Sequence, residues 1–587
     1  MNKRSCGDVR ANDSGAKVEL SGWVNRRRDH GGLIFIDIRD HTGVTQVVFH
    51  PGTAAFTSAE SLRHEDVVRV RGTVERRPAG TENAKLSTGE IEVVADDLLI
   101  YSRALVPPFP IWSDDEIDES LRLQYRYLDL RRPHMQRNMR LRHRIVKATR
   151  DFFDSEGFIE VETPMLIKST PEGARDYLVP SRLHHGSFYA LPQSPQILKQ
   201  LLMVGGFGKY LQIARCMRDE DLRADRQPEF TQIDVEMSFV TEDDVFNVME
   251  RCMVHIWRDA LGVELRLPFP RFTHADVLRR YGSDKPDLRF DLELNDVSAA
   301  FANSEFKLFR DQVSSADGVV IALRYPGGAA LSRRDFDALT EDAKRQGARG
   351  LVWAALDEGQ LRSPVAKFLN DETMSAVNEA VAAAKGDAVL LLAGERTSTL
   401  EVAGRMRNIV GERCGLRNAA EFRFAWVTDF PLFEVDAQTG KPMPAHHPFT
   451  APRDDQWGLL ESDPLAMRAQ HYDLVLNGWE LGSGSIRIHK PEFQKKIFSM
   501  LGMTPQQIED QFGFFLRALD YGAPPHGGIA LGIDRIAMIA AGEEDLREVT
   551  AFPKNQAARD MMMETPSPVR TEMLKELGIA LSRPKAP

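Results

Sequence analysis

Between two apolar strands, Tyr210–Ala214 and Phe230–Phe239, the chain places a loop dense in arginine and acid and free of lysine: Cys216-Met-Arg218-Asp219-Glu220-Asp-Leu-Arg223-Ala-Asp-Arg226-Gln227-Pro-Glu229. A solvated hairpin seldom needs so many arginines. The planar guanidinium fork suits two-point recognition of phosphate or carboxylate. The feature points to paired strands with an anion-recognising loop at one end. A salt-bridged surface hairpin is the competing reading of this segment taken alone.

At 587 residues the chain is too long for one hydrophobic core, so several domains are expected. The first hundred residues read as five short strands: Lys17–Val24, Leu33–Ile38, Val44–Phe49, Asp66–Val74 and Glu90–Val94. They suggest a small barrel, for which the OB-fold is the common five-stranded form. Proline-rich Val106–Pro110 and acidic Ser113–Glu119 read as a linker. A helix is predicted from about His134 to Glu156, with Leu141, Ile145, Ala148 and Phe152 on one face and Gly157 as its stop. Between about Lys285 and Ala420 strand-like pieces (Val319–Leu323, Gly350–Ala354, Ala388–Leu392) alternate with polar helical stretches, as in an inserted α/β domain. After about Phe552 a small α-rich tail is expected.

The net charge of -11 argues against a nucleic-acid binder taken as a whole. Up to Arg103, however, 15 Lys/Arg balance 15 Asp/Glu, and arginines cluster at 26–28 and 39, then at 69, 71, 76 and 77. A locally basic module on an acidic body can still grip phosphates, because screening limits electrostatic reach to about 8–10 Å. Cys6, Cys216, Cys252 and Cys414 are scattered, so neither a zinc site nor a disulfide framework is expected. Met1–Lys17 lacks the apolar run of a secretory signal, and no stretch suits a membrane span. A cytoplasmic protein is expected.

Two further segments stand out. Gly157-Phe-Ile-Glu-Val-Glu-Thr-Pro164-Met-Leu166 reads as a helix end, a strand and a proline stop. Gly527-Gly-Ile-Ala-Leu-Gly532-Ile533-Asp534-Arg535 reads as a strand, a glycine turn and an apolar helix holding Arg535, which needs a partner such as Asp534 or an anionic ligand. No GxxxxGK[ST] loop occurs, and Gly482-Ser-Gly484-Ser485 lacks the GxGxxG spacing.

These three segments, in this order, resemble the signature motifs of class II aminoacyl-tRNA synthetases, in the aspartate, asparagine and lysine subgroup. Thr170–Tyr177 and Ala190–Met203 look like the aspartyl enzymes, and the insertion is similar to that of their bacterial form. The resemblance implies an α/β multidomain chain: an OB-fold anticodon-binding barrel at 1–104, a hinge at 105–133, an antiparallel-sheet catalytic domain at 134–285 and 421–556, an inserted α/β domain at 286–420, and an extension at 557–587.

It also implies roles. Arg218 is expected on the α-phosphate and the attacking carboxylate, and Arg535 on the γ-phosphate. Asp219, Glu220 and Gln227 are expected on ATP, and Gly532, Ile533 and Asp534 in the turn presenting Arg535. Asp473 and Glu480 are expected to hold Mg²⁺ with ATP; a surface helix acid is the competing reading of Asp473. Arg487, in an expected strand Ser485–His489, and Lys199 would meet the aspartate side chain. Glu172, Ser194, Gln196 and Asp234 match positions that bind its ammonium group, and His446 and His447 match substrate-site positions. In the barrel Phe35 would stack on an anticodon base, with Arg26, Arg28, Gln46 and Glu92 around it. Periodicity leaves the direction of Phe35 open, since Ile34 and Ile36 are apolar too. A homodimer is implied, with Pro164 near its interface.

One departure concerns specificity. Position 30 is His where strictly aspartate-specific bacterial enzymes tend to carry Leu. With Gly80, His30 resembles the non-discriminating type, which also places aspartate on asparagine tRNA for an amidotransferase to convert. The competing readings are tolerated loop substitutions at these two positions, a strictly tRNA-Asp-specific enzyme, and an inactive RNA-binding relative. An asparaginyl or lysyl enzyme of the same subgroup is a close rival; Lys199 and Arg487 argue against both, and intact Arg218, Glu480 and Arg535 argue against an inactive relative.

Overall fold

The computed structural model describes residues 2–113, 115–170, 174–220, 226–357, 360–436 and 440–582. Its contacts define two compact units. One comprises Met1–Arg140 with Arg547–Ser567, and the other Leu141–Leu546 with the chain from Pro568 onward.

In the first unit, β1 (Lys17–His30), β2 (Leu33–Arg39), β3 (Val44–Phe49), β4 (Val67–Arg76) and β5 (Ile91–Ser102) form a closed barrel in the order β1-β2-β3-β5-β4-β1. Of these five strands only β3 and β5 pair in parallel. Closure follows from alternation: Val18, Leu20 and Val24, then Ile34, Ile36 and Ile38, then Val68, Val70 and Val74 are all buried inside. Truncating one of the isoleucines to Ala would cost about 2–5 kcal/mol. β1 and β5 run six and eight residues past their expected ends, at Val24 and Val94. The added β1 residues are mainly charged and pair with β2 as an exposed arm.

The helix Pro133–Ser155 starts on proline, which lacks only an N–H that no helix start can use. Its expected face, Leu141, Ile145, Ala148 and Phe152, is buried, and Gly157 (φ +76°) ends it in the left-handed conformation.

In the second unit lies an eight-stranded sheet built from β6 (Ile159–Glu160), β7 (Lys209–Met217), β8 (Glu229–Ser238), β9 (Arg271–Thr273), β10 (Phe424–Thr428), β11 (His471–Leu476), β12 (Trp479–Ile486) and β13 (His526–Gly532). Its order is β9-β10-β11-β12-β13-β8-β7-β6, antiparallel except at its two edges. Strands far apart in sequence thus meet at its centre: Asp234 on β8 pairs with Ala530 on β13, which also pairs with Ser483 on β12. Arg487 lies just beyond β12, bridged to Thr450, rather than within a strand reaching His489.

The insertion has its own five-stranded antiparallel sheet, in the order Asn295–Asp296, Gly318–Tyr325, Ala388–Glu395, Val352–Asp357, Gln360–Arg362. Helices Arg333–Arg345 and Arg396–Arg413 cover one face through Phe336, Leu339, Met406 and Val410. Lys307–Val313 and Asp371–Ala380 cover the other through Phe309 and Val377. The C-terminal segment differs from expectation. Among its described residues the only helix is Thr571–Glu576, because Pro553, Pro566 and Pro568 deny the backbone a continuous run of donors.

Candidate active site

A cleft of about 370 Å³ opens on the eight-stranded sheet. β8 supplies Phe230, Gln232 and Asp234, with Arg218, Glu220, Arg226 and Gln227 from the segment between β7 and β8. β12 and its extension supply Glu480, Gly482, Ser483, Gly484 and Arg487, and β13 with the following helix supplies Gly532, Asp534 and Arg535. The helix Gln196–Val204 and the turn before it supply Ser194, Gln196 and Lys199.

At one end two cations and two acids are almost wholly buried. The Lys199 ammonium lies 3.0 Å from Asp234 and 3.3 Å from Glu236. Arg487 donates from Nε and Nη2 to the two Glu236 oxygens at 3.0 and 3.2 Å, and from Nη1 to Ser485 Oγ at 2.7 Å and His447 Nε2 at 2.8 Å. Burial lifts the Asp234 carboxyl to about 6 against the pull of Lys199. Burial would lift Glu236 too, but the Arg487 and Lys199 charges outweigh it and hold that carboxyl below its ordinary range. Gly528 makes room for the cluster, since a Cβ there would come within 2.3 Å of Glu236 Oε2. Gln196, 8% exposed, has an amide nitrogen with no hydrogen-bond partner among the described residues.

At the other end Asp534 accepts from Arg142 Nη1 at 2.6 Å and from the Thr231 N–H at 2.8 Å. Arg535 therefore does not take Asp534 as its partner; its Nη1 donates to the Glu480 carbonyl. Gly532 caps the helix Ile533–Ala541 without a side-chain cap bond, and a helix N-terminus of this kind suits anions. Arg218 lies 5.1 Å from the centre of the Phe230 ring, and its Nε is buried without a partner among the described residues.

Asp473 sits buried in β11, in a strand rather than on a surface helix. The register of β11 and β12 shifts at Leu474/Val475: Asp473 faces Ser483, while Val475 faces Glu480. This bulge puts Glu480 on the same side as Asp473, which strict alternation would not. Burial, with Asp284 nearby, pushes Asp473 up to about 8. The Asp473 charge, then burial, pushes Glu480 up to about 7. An acid raised on folding withdraws stability as pH rises from its unfolded value through its folded one. The ligand-free protein is therefore expected to lose stability between about pH 4 and pH 8 on this account. Asp473→Asn should reduce that loss, keeping an acceptor for His471 Nε2, now 3.0 Å away. Thermal unfolding from pH 5 to 8 checks this; a variant no more stable than wild type at pH 8 would count against it.

Several expected site residues lie elsewhere. Asp219 is exposed outside the cleft and the Ile533 side chain is in the core, whereas exposed His446 adjoins the cleft, stacked at 3.5 Å on His471, which lines it. Glu172 lies outside the described residues. Residues not anticipated are Glu236, Gln232, Phe230, His471 and Arg142.

On the barrel, Phe35 points outward, since its neighbours Ile34 and Ile36 fill the core. It pairs with Arg28, and Asp37 pairs with Arg26 and Gln46, so these residues share one face. Arg28 donates to Gln46 Oε1 at 3.1 Å, and Gln46 donates to Glu92 at 2.8 Å. His30 and Gly80 (φ +85°) are both exposed at strand ends and turns.

Residues 118–556 match the model of class II tRNA synthetases for D, K and N. The chain belongs to that family. Residues 18–101 of this synthetase match the OB-fold nucleic acid binding domain. It is 52% identical over 575 residues to the aspartate–tRNA(Asp/Asn) ligase of Moorella thermoacetica, covering 98% of this chain and 96% of that one. It is likewise 52% identical over 583 residues to the aspartate–tRNA ligase of Geobacillus kaustophilus, covering 99% of each. The fold of asparaginyl-tRNA synthetase from Pyrococcus horikoshii matches it with a TM-score of 0.59 at 19% identity, over 94% of this chain and 98% of that one. Among the described residues no helix is long and apolar enough to cross a membrane.

Proposed function

We propose that this synthetase activates L-aspartate with ATP and transfers it to tRNA-Asp and tRNA-Asn. The charge balance of the buried cluster taken together with half-buried Arg218, which lines the same cleft, carries the amino-acid reading. Lys199, Arg487 and Arg218 set three positive charges against Asp234 and Glu236, leaving one in excess. Aspartate, with two carboxylates and one ammonium, supplies the missing negative charge. Its ammonium fits Asp234, Ser194 and Gln196, its side-chain carboxylate fits Arg487 and Lys199, and its α-carboxylate fits Arg218. Asparagine would set amide hydrogens against cationic donors, and lysine would add charge of the wrong sign.

The α-carboxylate is ionised at pH 7, so its attack on the α-phosphorus needs no protein base. Pyrophosphate leaves, and the terminal tRNA hydroxyl then takes the aspartyl group from the adenylate. Catalysis is positioning and charge stabilisation. Arg218 spans carboxylate and α-phosphate, Arg535 and the helix behind Gly532 face the far phosphates, and Glu220 and Gln227 hold the nucleoside end. Asp473 and Glu480, two hard oxygen donors of which the first raises the pKa of the second, suit Mg²⁺ bound with ATP, which would screen the phosphate charge.

The outward Phe35 with Arg26, Arg28, Gln46 and Glu92 offers a stacking ring and polar groups for unpaired anticodon bases. The domain limits set out from the sequence belong to this reading, as does a cytoplasmic site of action. Exposed Ile159, Met165 and Leu166, close to Pro164 in the chain, support a homodimer, which light scattering at a single-chain mass would refute.

Charging of tRNA-Asn rests on His30 and Gly80 and on the Moorella relative. Purified tRNA-Asp and tRNA-Asn transcripts should accept aspartate at comparable rates, implying an amidotransferase downstream. Charging of tRNA-Asp alone would leave a tRNA-Asp-specific enzyme. Charging of neither would remove the catalytic reading.

A further inference from the structure

We propose that the inserted domain works as a clamp on the acid pair Asp473–Glu480, with Arg407 and Asn477 as its positioning residues. The inference rests on the reading of that pair as the Mg²⁺–ATP acids.

β11 and β12, which carry the two acids, are joined by the two-residue turn Asn477-Gly478, with φ of +51° and +89°. Both junctions of the insertion close on this turn. On the downstream side, Asn477 Nδ2 donates to the Glu421 carbonyl at 2.7 Å, and Asn477 Oδ1 accepts from the Arg423 N–H at 2.9 Å. On the upstream side, Asp287 approaches Gly478: a Cβ built on that glycine would lie 3.4 Å from the Asp287 Cβ.

Asp287 is itself held from inside the insertion. Arg407, on the helix Arg396–Arg413, is 1% exposed. It donates to the carbonyls of Asp287 at 2.9 Å and Phe290 at 2.8 Å, and to that of Leu292. Its guanidinium also lies 4.1 Å from the centre of the Phe290 ring and 4.9 Å from that of Tyr281. A buried arginine whose hydrogen bonds go to carbonyls rather than a carboxylate is a costly way to gain stability. It does fix a backbone path, because its rigid fork dictates where three carbonyls lie. The same helix touches the chain before this segment: a Cβ on Gly404 would come within 2.5 Å of the Gly282 carbonyl, so only glycine allows that approach. The insertion helix therefore sets segment 282–292, which abuts the turn, while residues 421–423 hold the turn from the other side. Outer groups that orient a metal's ligands are worth about 10–100-fold in metal affinity.

The test uses the full chain with two variants. Arg407→Lys keeps the charge but cannot reach all three carbonyls. Asn477→Gly keeps the left-handed turn and removes both side-chain bonds to the downstream junction. Each is expected to weaken Mn²⁺ binding to the protein–ATP complex, read by electron paramagnetic resonance, about tenfold. The Mg²⁺ needed for half-maximal pyrophosphate exchange should rise in parallel, while KM for aspartate stays within about twofold. Wild-type Mn²⁺ affinity and Mg²⁺ requirement in the folded variants, with only a lower Tm, would reduce both residues to structural supports and overturn the clamp. If Arg407→Lys does not fold, Asn477→Gly alone decides. If the wild-type complex binds Mn²⁺ no more tightly than free ATP does, the metal reading of the acid pair fails first, and the clamp with it.

Discussion

Arg487→Gln is expected to remove aspartate activation, lowering kcat/KM for aspartate-dependent pyrophosphate exchange about ten-thousandfold. The fork at Arg487 is fixed before substrate arrives, since Glu236, Ser485 and His447 each hold part of it. A glutamine supplies neither the charge nor the second donor. The substitution also strands a fully buried carboxylate. Lys199, 3.3 Å away, compensates Glu236 only in part, so the fold should lose about 3–5 kcal/mol. The two losses can be separated. Arg487→Gln with Glu236→Gln removes both charges and leaves a hydrogen-bonded pair, so its Tm should return most of the way to wild type while exchange stays absent. A single variant that still exchanges aspartate at near the wild-type rate would sink the role. A double variant that regains activity along with stability would show that Arg487 serves the fold alone.

The elements most legible in the sequence were those whose period matched one exposed and one buried face. Val68, Val70 and Val74 alternate with polar residues, and the helix containing Leu141, Ile145 and Phe152 has one apolar stripe, so both stood out. Phe35 could not be placed that way, because Ile34, Phe35 and Ile36 are all apolar. Its direction is set by pairing: it lies opposite Arg28 on a face that also holds Asp37 and Gln46. The bulge that turns Glu480 toward Asp473 has no signature of its own, being a property of two strands at once. The Asn477-Gly478 dipeptide between two apolar runs was a readable hairpin signal. Taken at face value, it would have placed Asp473 in a strand and excluded the surface helix.

Arg218 and Arg535 stood out in the sequence as arginines in unusual surroundings, whereas Lys199 and Arg487 came only from the resemblance; the structure brings all four to one cleft. The residues that hold those cations were harder to see. Glu236 follows Asp234 by two in a strand whose alternate positions, Ile233, Val235 and Met237, are buried and apolar. Two acids on one face of a central strand require cations opposite, and that spacing was the available signal. Arg142 offered no such cue. It reaches Asp534 from a helix 392 positions earlier in the chain, a contact only the tertiary fold creates.

Arg218→Gln should give the opposite pairing of effects to Arg487→Gln: a large loss of rate on an almost unchanged fold. Arg218 is half-buried and makes no ion pair among the described residues; its guanidinium rests over Phe230, with Nε buried and lacking an acceptor. A buried donor without an acceptor costs about 1–3 kcal/mol, which a ligand oxygen would recover. Removing it should therefore leave Tm near the wild-type value. Charge building on the α-phosphate would lose its nearest fixed partner, and kcat for pyrophosphate exchange should fall about 100–1000-fold. Arg218→Lys keeps a positive charge but loses the fork, so it should recover only part of that rate, because one ammonium cannot bridge carboxylate and phosphate together. If both variants exchange within about tenfold of wild type, the α-phosphate is held by other groups. If both unfold, the open guanidinium belongs to the fold after all, and the division of labour between Arg218 and Arg487 argued from their surroundings is wrong.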